Sequence, residues 1–195
     1  MCQKIRELQG KTPDELLDRT NQLGVFPVDV AQICFQMGIR LQPFDFTPIE
    51  TNRTMRANVS EKGAILGAIV AHENDLAILY RPDTTILQRR YTIAHEIAHS
   101  CLHMEPDSQV HIEFMTDRDN PTEKERAANA FARKLLIPAD ALRKLTGNSP
   151  VVESWRLPGL AERFLVTENV MRQRLGDMEL RLVKNRPDSV GAWRV

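Results

Sequence analysis

The chain is poor in several things that would otherwise announce a function. It has no surplus of one charge: 26 Lys and Arg stand against 26 Asp and Glu. No overall field therefore draws it toward nucleic acid or anionic lipid, and any such binding has to come from a local patch. Its longest apolar stretch, Ala64 to Ala71, falls far below the roughly 20 residues that cross a bilayer, so no membrane segment is expected. Met1-Cys2-Gln3-Lys4-Ile5-Arg6-Glu7 lacks the apolar run and small-residue cleavage site of a secretory signal, and the expected compartment is the cytoplasm. Cysteine is scarce: Cys2, Cys34 and Cys101 are odd in number, widely spaced and without a CxxC pair. That argues against a disulfide framework or a cysteine-based metal site. Internal repeats and low-complexity tracts are also missing.

What is present is a series of local signals. With 195 residues the chain suits one domain with a small appendage, divided here as 1–150 and a helical C-terminal element, 151–195. Thr12-Pro13-Asp14-Glu15 is a capping box with proline at the first helical position and predicts a helix that stops near Gly24. A second helix is predicted from Pro27, with Val30, Ala31, Cys34 and Phe35 at helical spacing and Gly38 closing it. Ile39 to Phe44 then reads as a short strand. Met55 to Val59, Ala64 to Ala71 and Leu76 to Tyr80, separated by turn residues, predict a three-stranded antiparallel meander. Asp83 is predicted to cap a helix from about Thr84 to His103. Residues 104–120 read as an acidic, irregular loop, and Asn120-Pro121-Thr122-Glu123 starts a helix that ends at Pro138. The predicted class is α+β, with the small sheet packed on two long helices and further helices at both ends.

The long central helix carries His95-Glu96-Ile97-Ala98-His99. One helical turn apart, the two imidazoles share a face and can reach one Zn²⁺ at about 2.0–2.1 Å. Glu96 stands beside the first of them, where its carboxylate can reach the water that a metal activates and act as general base. A catalytic site of this kind needs a third protein ligand. The metzincin arrangement is excluded, because Leu102 and Glu105 stand where it requires Gly and His. His103 lies eight residues from His95, about 12 Å of helical rise, too far to share an ion with both histidines. A carboxylate from the next helix is the better candidate. For the group that stabilises a developing oxyanion or contacts substrate, Tyr91, His103 and His111 all remain open.

Arg89-Arg90-Tyr91-Thr92-Ile93-Ala94-His95-Glu96-Ile97-Ala98-His99, followed by Glu125-Arg126-Ala127-Ala128-Asn129-Ala130-Phe131-Ala132 and Leu135-Leu136-Ile137-Pro138, closely resembles the ImmA/IrrE family of metallopeptidases. The pairing of these two helices is much more specific than HExxH alone, and weaker resemblance extends over about 170 residues. The resemblance implies a zincin-like core in which Glu125 is the third ligand, in the gluzincin manner. It further implies that Asn129 accepts a hydrogen bond from the first histidine. Glu123 competes for the ligand role by composition, but it is offset about 160° around the helix from Glu125 and doubles as a capping residue. The implied cofactor is one Zn²⁺, although Mn²⁺ or Fe²⁺ also suits two imidazoles and a carboxylate. The implied substrates are helix-turn-helix repressors of phage, mobile-element or stress-response systems.

Leu160 to Leu175 reads like a helix-turn-helix with Thr167 capping its second helix. Were it to bind DNA, Thr167, Glu168, Asn169 and Arg172 would face the groove. Residues 151–195 hold eight Lys/Arg and six Asp/Glu, and that net of +2 favours scaffold or partner recognition over direct DNA binding. Two functions thus compete: a zinc endopeptidase that cuts a specific protein partner, and a regulatory protein that keeps the metal site but binds a partner or DNA without cutting it.

Overall fold

A computed structural model describes residues 2–57, 64–105, 110–116 and 121–184. The chain starts with α1 (Gln3–Leu8), α2 (Pro13–Arg19) and α3 (Val30–Gln36). The capping box holds at α2, where Thr12 Oγ1 accepts from the Glu15 N–H and Glu15 Oε2 accepts from the Thr12 N–H. α3 begins later than Pro27, because Asp29 Oδ1 captures the N–H groups of Ala31 and Gln32 and so sets the first turn. α1 lacks a side-chain cap, and the sequence reading contains no helix there.

β1 (Arg40–Pro43) is the short strand expected over 39–44, and α4 (Thr47–Thr51) and α5 (Arg53–Ala57) follow it. The strand predicted over Met55 to Val59 is corrected by α5. Asn52 Oδ1 accepts from the Thr54 and Met55 N–H groups at 3.0 Å each, taking the donors that a strand would have used. Residues 58 and 59 lie outside the described ones. The hairpin of β2 (Ile65–His72) and β3 (Asp75–Tyr80) matches the expectation, and Glu73 takes the left-handed conformation in its tight turn, with φ 54°. Next comes the motif helix α6 (Ile86–Leu102), opened not by Asp83 but by a reciprocal box between Thr85 and Gln88.

The region read as a loop over 104–120 contains β4 (Val110–Thr116), antiparallel to β2. Its Val110, Ile112 and Phe114 alternate with His111 and Glu113, a period of two that the acidic flanks obscured. The remainder of the chain is α7 (Glu123–Leu136), capped by Thr122, then α8 (Ala139–Thr146), β5 (Val151–Glu153), α9 (Leu157–Phe164), α10 (Glu168–Asp177) and β6 (Arg181–Val183).

The main sheet runs β1-β3-β2-β4. It is mixed rather than a pure meander, since β1 lies parallel to β3 while the β3–β2 and β2–β4 pairs are antiparallel. β5 and β6 pair separately and in parallel. One apolar cluster joins α1–α3, β2, β3 and α6–α10, with Leu135, Leu136 and Ile137 fully buried. Each such side chain contributes about 1.5–3 kcal/mol by leaving water. The second half of α6 sits inside this cluster: Thr92 through Cys101 are all buried. A helix enclosed in this way holds its side chains in single rotamers, which is what a site on it needs. The three cysteines are buried free thiols, as their spacing suggested, and burial pushes those of Cys34 and Cys101 up to about 12. Among the described residues no helix is long and apolar enough to cross a membrane.

Candidate metal centre

His95 and His99 face the same way from α6, and their Nε2 atoms lie 3.0 Å apart. The first turn of α7 presents Glu125 to both: Oε2 is 3.0 Å from His95 Nε2, and Oε1 is 3.1 Å from His99 Nε2. Thr122 fixes this approach by accepting the Glu125 backbone N–H, so the residue that starts α7 also delivers the carboxylate. Glu123, one residue into the same helix, is exposed and stands outside the cluster. The choice between the two carboxylates therefore falls on Glu125.

Asn129, one turn along α7, holds the back of the first histidine, its Oδ1 lying 3.0 Å from His95 Nδ1. An amide oxygen only accepts, so Nδ1 carries the proton and Nε2 presents a lone pair. Burial drives the His95 pKa down, against the pull of Glu125, and favours the neutral imidazole. A carboxylate and a neutral imidazole are the forms that ligate metal.

The arrangement passes a physical test for a metal ion. His95 Nε2 aims a lone pair at a carboxylate oxygen and at a second imidazole nitrogen, all buried and within 3.1 Å. Such a convergence is repulsive unless a cation sits within it. Bonds of 2.0–2.1 Å at tetrahedral angles would place ligand atoms about 3.3 Å apart, close to the separations here. The residues fit a divalent ion with two imidazoles and one carboxylate.

Glu96 is fully buried on the sheet side of α6. It fits because β2 carries glycine opposite it: a Cβ at Gly67 would overlap Thr92 Cγ2 and stand 3.1 Å from the Leu79 carbonyl and 3.3 Å from Glu96 Oε1. A glycine inside an apolar strand was the available signal for this close approach, and the sequence reading passed over it. Gly67→Ala is expected to cost about 1–3 kcal/mol through overpacking. That should lower the thermal midpoint by roughly 3–10 °C. Thr92→Ser in the same chain should recover part of the loss relative to Thr92→Ser alone. Calorimetry checks both, and an unchanged midpoint in Gly67→Ala would contradict the contact.

The remaining candidates separate by position. His103 is no ligand; its Nδ1 lies 3.1 Å from His99 Nδ1, so it orients the second histidine as Asn129 orients the first. Tyr91 donates its hydroxyl to Asn129 Oδ1 at 2.9 Å, on the Nδ1 side of His95 and away from the Nε2 cluster. In β4 the His111 backbone pairs with Ala71 of β2, and its side chain lies outside the described ones. On α10, Glu168, Asn169 and Arg172 are exposed, while Thr167 is half-buried and caps the helix through the Val170 N–H.

The model for peptidase family M78, described as the IrrE N-terminal-like domain, matches residues 63–176, more than half of the chain. The matched span contains the motif helix, Glu125 and Asn129, and it continues through α9 into α10. No curated protein matches the chain.

Proposed function

The chain belongs to peptidase family M78, the IrrE N-terminal-like domain family, and on that footing we propose that it is a zinc endopeptidase acting on a specific protein partner, a helix-turn-helix transcriptional repressor in the cytoplasm. The observation that carries the reading is the buried convergence of His95, His99 and Glu125 with Glu96 beside it. A zinc ion held by the first three would supply Lewis acidity, polarising the scissile carbonyl and acidifying a water toward pKa about 7. Glu96 accepts the proton of the attacking water and returns it to the departing amine, so no side chain needs to form a covalent bond to the substrate. Asn129 and His103 keep the two imidazoles turned with Nε2 inward. The peptide is taken up as an added strand along β4, which ends the sheet order and pairs Met115 with Gly67, next to Glu96.

The test is incubation of the zinc-loaded protein with a candidate repressor, with fragments read by mass spectrometry. A single defined cut that is lost on chelation and restored by zinc is the expected result. The competing reading, sequestration of a partner or DNA, draws on the exposed Glu168, Asn169 and Arg172 of α10. Tight repressor or operator binding with no fragment would favour it.

A further inference from the structure

Glu125, Asn129 and Arg133 recur every fourth residue and share one face of α7. The first two serve the metal centre, and the third leads away from it toward α10. Arg133 grips Asp177 with two prongs, Nε to Oδ2 at 2.7 Å and Nη2 to Oδ1 at 3.0 Å, and Nη1 reaches Gln173 Oε1 at 3.3 Å. The same guanidinium carries its charge beside the Tyr91 hydroxyl. Tyr91 in turn donates to Asn129 Oδ1 at 2.9 Å, the oxygen that also receives His95 Nδ1–H at 3.0 Å. Three helices thus contribute to one connected path, beside an open cleft of about 440 Å³ lined in part by Asn129, Arg133, Gln173 and Asp177.

The direction of the path follows from donor chemistry. A guanidinium offers only N–H donors and positive charge, so a hydroxyl beside Arg133 keeps its lone pairs toward that charge and turns its own proton toward Asn129. Facing two donors, Tyr91 O–H and His95 N–H, the Asn129 amide must present oxygen. If the amide turned over, its NH₂ would face His95 Nδ1, the proton would move to Nε2, and the lone pair aimed at the metal position would be lost. Without Arg133, Tyr91 could equally accept, and nothing would hold the amide in the productive orientation.

We infer that Arg133 and Asp177, acting through Tyr91 and Asn129, are positioning residues that hold His95 in its metal-ligating tautomer, so that the docking of α10 is a condition of tight metal binding. This rests on the reading of His95 as a metal ligand. The plain alternative is a surface ion pair that only tethers α10 to α7, adding little to stability and nothing to the metal.

The two are separated by titrating the full chain with Zn²⁺ against a chromophoric chelator and recording the visible spectrum of the Co²⁺-loaded form. Arg133→Met and Tyr91→Phe are expected to weaken zinc by about 10- to 100-fold, the range found for groups that orient a ligand, and Asp177→Asn by about three- to tenfold. Each should shift the cobalt bands, and Asp177→Glu should restore part of the affinity. A lowered apo melting midpoint with wild-type zinc affinity and cobalt spectrum is the tether's signature and overturns the inference. If the charge variants fail to fold, Tyr91→Phe, which removes one oxygen, decides alone: wild-type affinity and spectrum in that variant overturn it. Failure of the wild-type chain to bind zinc would overturn the metallopeptidase reading as well, whereas tight wild-type binding with indifferent variants would remove this inference only.

Discussion

Glu96→Gln is expected to keep a full complement of zinc and to cut the partner protein about 10²- to 10⁴-fold more slowly than the wild type. The substitution is nearly isosteric, which matters because Glu96 is fully buried and an added atom on β2 would come within 3.3 Å of its Oε1. Glutamine should occupy the same slot, leaving His95, His99 and Glu125 to hold the ion. What the amide cannot do is take a proton from water and pass it on. Metal content by mass spectrometry, together with fragment yield over time, separates the outcomes. Wild-type cutting would remove Glu96 from the chemistry, and loss of zinc would show that it helps hold the site instead.

The parts of this centre that could be read in the sequence are those carried by one helical turn. His95, Glu96 and His99 are adjacent in the chain, so the period of the helix alone predicts their common face, and the structure places the two Nε2 atoms 3.0 Å apart. Glu125 is 26 positions further on, and no periodicity links two separate helices; the family pattern pointed to it, and helical offset then set Glu123 aside. The path from His95 to Asp177 was beyond sequence reading, because Tyr91, Arg133 and Asp177 lie on α6, α7 and α10 and acquire meaning only once those helices pack. Helical rise separates His103 from His95, so the sequence sets it aside as a ligand. That reading did not reach its role as the partner of His99 Nδ1.

The fold shows the same division between local and tertiary information. The capping box of Thr12 acts on neighbours within three positions and marks α2 correctly, whereas the quartet 120–123 marks the start of α7 but leaves open that its third residue, Thr122, is the cap. Asn52 is an equally local signal, yet the β-prone look of Met55 to Val59 outweighed it, and the strand drawn there is the helix α5. β4 failed for a different reason. Its alternation is short, its flanks are acidic, and a strand at the end of a sheet is stabilised by its partner β2 more than by its own composition. The parallel β1–β3 pair joins residues nearly forty positions apart, a register that no turn signal encodes.

Glu125→Ala is expected to abolish stoichiometric metal retention. Zinc at structural sites binds with about 10–16 kcal/mol shared among four ligands, so one carboxylate is worth roughly 3 kcal/mol, or at least about a hundredfold in affinity. The loss should exceed that of a histidine partner such as His103, because Glu125 spans both imidazoles, 3.0 Å from one and 3.1 Å from the other, and carries the only negative charge in the cluster. The backbone consequence should be small, since the hydrogen bond that starts α7 runs from the Glu125 N–H to Thr122 Oγ1 and does not involve the side chain. The apo variant should therefore fold, and the missing response to zinc becomes the measurement. In the wild type, free zinc at a hundred times its dissociation constant adds about 2.7 kcal/mol. That should raise the melting midpoint by roughly 5–10 °C. In Glu125→Ala the same zinc should move the midpoint by no more than about 1–2 °C. A variant that still gains stability and holds one zinc per chain would assign the third ligand elsewhere, and Glu123, two positions earlier in the same helix turn, would be the first residue to substitute next.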